Sequence, residues 1–315
     1  MDDPRYIMLV EKRNRSVIYL TIHSQYKQQL WNNKKFVPYI FIFPNLVLFI
    51  VFMIFPILMS GYFSLVKWGG MGRPQFIGLA NYTHIFKDTV FLKSLWNTFK
   101  FSIATVPLLM IMALFFAVIL NRDMKMRGFF RSALYLPSII STVVVGMVFI
   151  WLFNSQLGLI NYTLNFLGLS SIEWSNSPRF AMVMIIIGTL WSRIGYNMVI
   201  YLAALQEIPK EHYESAKIDG ANTWQRFRFI TIPMLRVTHL FVFITCVIHS
   251  FRSFDLIYVM TKGGPLNATK TMAVYIYETA FHSNYYGRAS AGGIVLFLIL
   301  LLFTIIRIKS EKETN

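Results

Sequence analysis

The sequence predicts an all-α integral membrane protein with six transmembrane helices. Of its 315 residues, 56% are hydrophobic and only 14% are charged, whereas a soluble domain carries about 25% charged residues. A helix rises about 1.5 Å per residue, so roughly 20 apolar residues cross the hydrocarbon core of a bilayer. Four windows of about this length or longer contain no Asp, Glu, Lys or Arg: residues 36–66, 101–121, 132–172 and 289–306.

Two further apolar runs carry charged residues within them. One run, near residues 180–205, contains Arg193, and the other, near 237–260, contains Arg252 and Asp255. Residues 1–35 are predicted to form an N-terminal tail, and residues 36–315 the six-span domain. The six helices are expected near residues 37–60, 94–120, 133–153, 180–205, 237–260 and 288–307.

The distribution of positive charge predicts the orientation of the spans, because cytoplasmic loops of membrane proteins carry an excess of Lys and Arg. The two terminal segments and the loops 121–132 and 206–236 carry 18 Lys and Arg, whereas the intervening segments carry 8. The first set is therefore predicted to be cytoplasmic, with both termini inside. The formal charge of +16 is then explained by membrane topology rather than by nucleic-acid binding.

The sequence lacks the motifs of the common catalytic sites. It contains no HExxH, CxxC or GxSxG pattern, and no cluster of metal-ligating residues. The segment "GPLNATKT" resembles a phosphate-binding loop, but Thr269 stands where that loop requires its second glycine. We therefore expect no enzyme, no catalytic residue and no metal site here. If this protein depends on ATP, the hydrolysis is expected on another chain.

A charged segment, residues 208–235, separates two long apolar runs in a predicted cytoplasmic loop. Pro209 suits the first turn of a helix, and Gly220, after Asp219, suits a left-handed helix stop. Thr223 is predicted to cap a second helix, and Pro233 to interrupt the pattern before the fifth span. Composition alone leaves two readings open: a helix–turn–helix that another surface approaches closely, or an ordinary solvated loop.

Within this segment, "ESAKIDGANTWQRFRFITIP" closely resembles the cytoplasmic signature of ABC importer membrane subunits. Five positions match the signature, whereas Ser215 and Ile232 replace its second alanine and its leucine. In that family the element is the coupling helix, which docks in a cleft on the cytoplasmic ATPase. The resemblance implies an ATPase-coupling role for Glu214, Ser215, Ala216, Asp219 and Gly220 in the loop 206–236. The matching positions are Glu214, Ala216, Gly220, Ile230 and Pro233.

The resemblance extends over roughly residues 36–307 and points to the carbohydrate importers. "FDLIYVMTKGGP", "LYLPSIIS" and "GLIN" are similar to stretches of the maltose and glycerol-phosphate type of sugar permease. The resemblance implies the type I ABC importer permease fold. When "TLWSRIGY" and "SFRSFD" are compared with maltose-importer subunits, six residues fall on or beside the sugar-contact positions of those subunits. Asp255 lies one turn further along the same face. The six are Thr189, Ser192, Arg193, Tyr196, Phe251 and Arg252.

Charged residues inside spans are costly and indicate a functional site. Arg252 and Asp255, three apart on one predicted helix, either line a substrate pathway or form an internal ion pair that fixes helix packing. Arg193 and Arg252 against Asp255 leave one surplus positive charge. The resemblance implies a saccharide cargo, expected to be an oligosaccharide, and this charge surplus predicts that the cargo carries acidic groups.

By resemblance, the chain is a multi-pass permease subunit in the bacterial cytoplasmic membrane. Its implied partners are a second, related permease subunit, a cytoplasmic ATPase dimer that binds ATP and Mg²⁺, and an extracytoplasmic sugar-binding protein. No cofactor is expected on this chain itself. The alternative is a secondary transporter driven by an ion gradient, which would be expected to show internal repeats and interrupted helices at matching positions; the sequence shows neither.

Overall fold

The computed structural model describes residues 37–312, which are almost entirely helical. Helix α1 comprises Val37–Phe49, a π-helical turn Ile50–Ile54, and Phe55–Ser64. Up to residue 59 it forms a unit of its own, with exposed apolar side chains all round, a pattern typical of a membrane span. The predicted tail, residues 1–35, lies outside the described residues, and the predicted division into tail and six-span domain stays a prediction.

From residue 60 onward the chain forms a second packed unit. Strands β1 (Val66–Lys67) and β2 (Gln75–Phe76) pair antiparallel in a short hairpin. Helix α2 (Ala80–Lys87) leads into the 32-residue helix α3 (Thr89–Leu120). Asp88 caps α3, because its Oδ1 accepts a hydrogen bond of 2.8 Å from the Val90 amide.

The remaining elements follow in chain order. Helix α4 (Arg127–Tyr135) continues into a 3₁₀ turn (Leu136–Ser138). Helices α5 (Thr142–Leu152), α6 (Leu159–Phe166) and α7 (Pro178–Glu207) come next, then α8 (Lys210–Ile218). Helix α9 comprises Thr223–Arg226, a π turn Phe227–Thr231, and Ile232–Met234. It is followed by α10 (Arg236–Phe251), α11 (Asp255–Thr261), α12 (Met272–Tyr277, with the π turn Glu278–His282) and α13 (Tyr286–Lys312).

The centre of the second unit is a core shared by α3, α7 and α10. Ala113 and Ala117 of α3 are fully buried against α7, and Met198 and Tyr201 of α7 are buried in the same cluster. Small side chains on one helix let the backbone of its neighbour approach closely, which is how membrane helices pack without a hydrophobic driving force between them. Val242 of α10 completes the contact.

The predicted third span, residues 133–153, was wrong as a single helix. The chain bends by 94° between Arg127–Ser138 and Thr142–Leu152. Pro137 lacks a backbone N–H and sits in the 3₁₀ turn, and Ser141 adopts a non-helical ψ of 131° before α5 begins. The break therefore lies inside an uncharged apolar window, and neither charge nor hydropathy indicates it.

The predicted fifth span, residues 237–260, was also wrong as one helix. Helix α10 ends at Phe251, and Phe254, at φ −126° and ψ −60°, separates it from α11. Arg252 and Asp255 therefore do not share a helical face. At its other end α10 meets α9 at a 68° bend, where Pro233 follows the π turn of α9 and cannot donate a helical hydrogen bond.

The fold class is confirmed as all-α with several apolar spans. Within residues 37–312, four helices are long and apolar enough to cross a membrane, and the two bent pairs raise the number to six if each pair forms one span. The four helical spans are Phe41–Ser64, Thr89–Leu120, Pro178–Glu207 and Tyr286–Ile306.

A buried amide organises the connection from α5 to α7. Asn161, only 1% exposed, donates from Nδ2 to the carbonyl oxygens of Ser155 and Ile172, each at 2.9 Å. Its Oδ1 accepts from the Ile172 amide at 3.2 Å and from Trp174 Nε1 at 2.9 Å. Every polar atom of this amide group is thus satisfied, as burial requires, and the bonds close the loop on both sides of α6.

The crossing of α7 over α4 generates a stability prediction. A Cβ at Gly195 would lie 2.0 Å from the Leu134 carbonyl oxygen, and backbone atoms cannot move aside as a side chain can. We expect Gly195→Ala to lower the free energy of unfolding by about 1–3 kcal/mol through overpacking. Thermal unfolding can be followed with a thiol-reactive fluorogenic dye. The single cysteine, Cys246, is buried in the folded chain, so the dye reacts with it when the chain unfolds.

The matched control is Gly128→Ala in α4, where an added Cβ meets nothing within 4 Å. Since alanine is the better helix former, this variant should match or exceed wild type in stability. If Gly195→Ala unfolds at the wild-type temperature, the close approach of α4 and α7 is incorrect.

Candidate functional site

A cleft with a few polar groups in mostly apolar walls lies between α3, α7 and α10. Its cavity volume in this conformation is about 40 Å³, and it is partly open to solvent. Each helix contributes residues spaced three or four apart, so that one face of every helix points into the cleft. The lining residues are Phe101, Thr105 and Leu109 from α3; Thr189, Arg193, Tyr196 and Asn197 from α7; Thr245, Cys246, His249 and Ser250 from α10; and Ser253 beyond it.

Hydrogen bonds between the helices fix the walls of this cleft. Ser250 Oγ donates to Ser102 Oγ at 2.8 Å, which ties α10 to α3. Cys246 Sγ lies 3.5 Å from Asn197 Oδ1 and so joins α10 to α7. Thr105 Oγ1 is buried and has no hydrogen-bond partner within the described residues. A hydroxyl group in that position is available to a ligand that enters the cleft.

Arg193 is the only lining residue that carries a fixed charge. It is half-buried, and the lining contains neither Asp nor Glu. In the part of the chain that the structure describes, the one ion pair joins Lys270 Nζ to Glu278 Oε2 at 2.6 Å. Arg193 therefore faces the cleft as a cation without a carboxylate partner. A guanidinium there can donate to hydroxyl groups or bind a carboxylate bidentately.

The predicted pathway residues fall into two groups. Thr189, Arg193 and Tyr196 line the cleft. Ser192 is buried on another side of α7, where its Oγ donates to the Thr189 carbonyl oxygen at 3.0 Å. Phe251 is 1% exposed and packs edge-to-face on Phe99, with ring centroids 5.1 Å apart. Neither Ser192 nor Phe251 reaches the cleft in this conformation, and their predicted contact with substrate stays a prediction.

Arg252 lies in the break after α10, next to Ser253, and Asp255 is the first residue of α11. Both side chains are exposed, and Asp255 Oδ2 accepts a hydrogen bond of 3.4 Å from Thr142 Oγ1 at the start of α5. They form no ion pair with each other, since the single ion pair among residues 37–312 lies elsewhere. The alternative of an internal Arg–Asp packing pair is therefore not realised. Through Ser253, the break also contributes to the cleft wall.

Sequence reasoning missed the contributions of α10 and α3 to the cleft. Thr245, His249 and Ser253 recur at four-residue intervals in an apolar run, and this periodicity is a signal that could have identified the polar face of α10. Phe101 and Thr105 of α3 carry no comparable signal. Only the packing of α3 against α7 brings them to the site.

The helix stop predicted at Gly220 is confirmed. Gly220 has a φ of +80°, a conformation that favours glycine. Its amide donates to the Lys217 carbonyl oxygen at 3.2 Å, and the Ala221 amide donates to the Ala216 carbonyl oxygen at 2.8 Å. These two bonds form a Schellman motif, which satisfies the last carbonyl groups of α8 and turns the chain sharply.

The predicted cap of the second helix was wrong by one residue. Asn222, not Thr223, caps α9, and it does so through a capping box. Asn222 Oδ1 accepts from the Gln225 amide at 2.9 Å, while the Asn222 amide donates to Gln225 Oε1 at 2.7 Å. Two amide groups are thereby satisfied at once, and Thr223 becomes the first helical residue.

The residues assigned to coupling lie around this turn. Glu214, Ser215, Asp219 and Gly220 are exposed, and Ala216 is half-buried. Two large apolar side chains that flank the turn are exposed: Ile218 is 87% exposed and Trp224 is 68% exposed. Exposed apolar side chains beside a charged helix are typical of a protein–protein contact. Tyr213 OH and Thr231 Oγ1, 3.0 Å apart, hold α8 against α9 behind them.

A mostly helical chain with four to six apolar spans, a polar cleft between its long helices and an exposed helix–turn–helix defines a membrane transport subunit. The chain belongs to the family of binding-protein-dependent transport system inner membrane components, whose model matches residues 109–308. Family membership and the named relatives confirm the resemblance inferred from the coupling signature, and this is a family of transport permeases rather than enzymes.

Curated relatives align over most of the chain. It is 40% identical to the lactose transport system permease protein of Rhizobium radiobacter over 273 residues, 84% of this chain and 91% of that protein. It is 37% identical to the arabinooligosaccharides transport system permease protein of Halalkalibacterium halodurans over 290 residues, 90% of this chain and 91% of that protein.

A solved structure confirms the type I ABC importer permease fold. A chain of a bacterial alginate ABC transporter, crystallised with an alginate pentasaccharide-bound periplasmic protein, superimposes with a TM-score of 0.78 at 23% identity. The superposition covers 89% of this chain and 96% of the other. At this identity the similarity establishes the fold alone.

The left-handed turn generates a prediction that needs no partner protein. A β-branched residue at Gly220 should cost about 1–2 kcal/mol in the left-handed region, whereas asparagine tolerates it. We expect Gly220→Val to open the end of α8 and to raise the rate of tryptic cleavage after Lys217 about 5- to 30-fold. Gly220→Asn, the matched control, should be cleaved at nearly the wild-type rate. Equal cleavage of both variants would contradict the assigned turn.

Proposed function

We propose that this chain is the permease subunit of an ABC importer that translocates an oligosaccharide through the cleft between α3, α7 and α10. Membership of the transport family supports the importer class, and the relatives named for lactose and arabinooligosaccharide transport support a saccharide cargo. The observation that carries the proposal is the cleft itself, which combines hydroxyl groups, an amide, two aromatic rings and an unpaired guanidinium.

The cleft has the chemistry that a sugar requires. Phe101 and Tyr196 offer ring faces against which the apolar face of a pyranose can pack. Thr105, Thr189 and Asn197 offer hydrogen-bonding groups to sugar hydroxyls, and Thr105 Oγ1 has no partner in the described structure. A pocket with mostly apolar walls and a few convergent polar groups is the usual form of a small-molecule site.

The charge of the site favours an oligosaccharide with carboxylate groups, such as uronate residues. Arg193 faces the cleft, and the described lining residues include no carboxylate; Arg252 and Asp255 lie next to the lining residue Ser253 in sequence but outside the lining itself. In a medium of low dielectric, an uncompensated cation attracts an anionic ligand strongly. The lining would also accept neutral sugars through hydrogen bonds, so the charge of the cargo is a separate part of the proposal.

Transport would be driven through the turn at Gly220. In this proposal the exposed surface of Glu214, Ser215, Ala216, Asp219 and Gly220 docks on a cytoplasmic ATPase dimer, which binds ATP and Mg²⁺. Closure of that dimer would favour one of two states of the permease, with the cleft open outward or inward. Such coupling requires each ligand to bind the two states with different affinity.

The remaining parts of the assembly follow from the same proposal. An extracytoplasmic binding protein would deliver the saccharide, and a second, related permease subunit would supply the other half of the pathway. The chain would cross the bacterial cytoplasmic membrane several times, with both termini inside. Membership of the family argues against the ion-coupled secondary transporter.

Coupling can be tested with Gly220→Pro in the reconstituted complex. Proline cannot adopt a φ of +80°, so we expect the ATPase to detach and its stimulation by the loaded binding protein to disappear. The matched control is Gly168→Pro, because Gly168 closes α6 with the same pair of hydrogen bonds and a φ of +75°. That variant should remain coupled. Normal assembly and stimulation of Gly220→Pro would place the ATPase contact elsewhere.

The charge of the cargo can be tested with Arg193→Gln. A hydrogen bond to a charged group contributes about 1.5–3 kcal/mol, so uptake of a uronate oligosaccharide should fall about 10- to 100-fold. Uptake of the methyl-esterified form should change much less. Arg179→Gln, at the exposed start of the same helix, serves as the control. If wild type imports both forms equally, the acidic-sugar proposal is lost while the importer assignment stands.

A further inference from the structure

We propose that a second cleft, at the junction of α3, α7, α8 and α9, binds a phosphate group. The phosphate is either the headgroup of an anionic phospholipid or a free phosphate ion. This cleft has a cavity volume of about 430 Å³ and shares no lining residue with the cleft between α3, α7 and α10. Its lining residues are Val118, Asn121, Arg122, Leu205, Tyr213, Thr223, Arg226, Phe227 and Thr231.

Two arginines face this cleft without a carboxylate. The lining includes Arg122 and Arg226 but neither Asp nor Glu. Arg226 Nε is buried and has no hydrogen-bond partner among the described residues. Its Nη2 makes one long hydrogen bond, 3.4 Å, to Thr223 Oγ1. A guanidinium carries five donors, and leaving a buried charged donor unsatisfied is costly. An anion in the cleft would remove that cost.

A second pair of arginines adds positive charge at the same junction. Arg127 and Arg131 of α4 both donate to Gln206 Oε1, at 3.1 and 2.9 Å, when the Gln206 amide is oriented to accept them. Arg131 Nη2 also reaches the Leu120 carbonyl oxygen at 3.5 Å. The Nε atoms of both arginines are buried without partners in the described structure. Among the described residues, the printed partners of Arg127 and Arg131 near the ends of α3 and α7 are neutral oxygens.

Carboxylates near this junction do not neutralise it. Asp123, Glu207, Glu211 and Glu214 adjoin it in sequence, and all four are exposed. None of them forms an ion pair in the part of the chain that the structure describes. The two lining arginines are therefore not paired with a carboxylate among the described residues, which favours an anion between them.

Phosphate fits the remaining chemistry of the cleft. Guanidinium forks bind phosphate oxygens bidentately, and the hydroxyl groups of Tyr213, Thr223 and Thr231 can supply further hydrogen bonds. Val118, Leu205 and Phe227 provide an apolar wall that suits the glycerol and first methylenes of a lipid. Basic pockets between membrane helices on the cytoplasmic side are known to bind anionic headgroups, and the charge distribution predicts that side for this junction.

Occupancy of the cleft would join the membrane helices to the helix–turn–helix. Arg122 lies just beyond the end of α3, whereas Arg226 lies in α9, directly after the turn at Gly220. A phosphate held by both would tie α9 to α3 and stiffen the element that carries the exposed Ile218 and Trp224. We expect the phosphate ligand to affect the rigidity of this element, not the sugar affinity of the cleft between α3, α7 and α10.

The test is native mass spectrometry of the full-length chain in detergent. The chain is titrated with dioleoylphosphatidylglycerol, with dioleoylglycerol, which shares the acyl chains but lacks phosphate, and with inorganic phosphate. We expect phosphatidylglycerol to bind at least 10-fold more tightly than dioleoylglycerol. Arg122→Gln and Arg226→Gln should each remove most of this difference. If millimolar inorganic phosphate displaces phosphatidylglycerol, the cleft binds free phosphate as well as the lipid headgroup. If it does not, the ligand of the cleft is the lipid.

The matched control is Arg228→Gln. Arg228 is exposed in the π turn of α9, two residues after Arg226 and outside the cleft lining, with its guanidinium carbon 6.0 Å from the centre of the Phe229 ring. This variant should bind phosphatidylglycerol like wild type. Arg122 is exposed, so Arg122→Gln carries the test if Arg226→Gln fails to fold, as judged by the accessibility of Cys246.

Several results would overturn the proposal. Equal binding of phosphatidylglycerol and dioleoylglycerol would do so, as would an equal loss in Arg228→Gln. Loss of ATPase co-purification in Arg122→Gln, with lipid binding unchanged, would assign the arginines to a protein contact instead. The binding titration requires no transport partner, so its failure is distinguishable from failure of the proposed import function.

Discussion

The structure depends on one constraint: inside a bilayer, every backbone N–H and C=O group must find its partner within the protein. Long helices satisfy this requirement, and for that reason most of residues 37–312 is helical. Where the helical ladder is broken, something else must satisfy the freed groups. The two breaks that interrupt predicted spans lie at Leu136–Ser141 and at Arg252–Phe254. The second supplies Ser253 to the cleft between α3, α7 and α10, so this departure from regular structure contributes directly to the candidate site.

Close helix packing then decides where a cleft can exist. Ala113 and Ala117 let α3 lie against α7, and Gly195 lets α7 cross the end of α4 with backbone almost in contact. Toward the start of α3, Phe101 and Thr105 line the cleft together with Arg193 of α7. The described lining residues include no carboxylate.

Helix α7 connects the two candidate functional elements of the chain. It carries Arg193 in the cleft between α3, α7 and α10, and at its far end Leu205 lines the second cleft beside α8 and α9. These two residues are twelve positions apart, about 18 Å along a helix. Since a packed helix moves as a rigid body, a displacement of the helix–turn–helix reaches the cleft without a chain of intermediate contacts. The basic junction lies at the point where such a displacement would begin.

The sequence by itself determined the class and the local motifs of this protein. Charge-free windows specified the spans, because a bilayer excludes charge, and the residue types around Gly220 specified a left-handed stop, because few other residues adopt that conformation. The coupling signature and the three α7 residues that line the cleft were identified through resemblance to a known family, which is possible because each set lies within one short stretch of sequence. Asn222, one residue before the predicted cap, was within the usual uncertainty of a helix boundary.

Only the tertiary structure decided which faces meet. The break between Phe251 and Asp255 removed Arg252 and Asp255 from a shared helical face, and packing buried Ser192 and Phe251 away from the cleft. The contribution of Phe101 and Thr105, and the gathering of Arg122 and Arg226 around one cavity, join residues far apart in the chain. Such contacts follow from the complementary shapes of whole helices, which hydropathy and periodicity along a single segment do not encode.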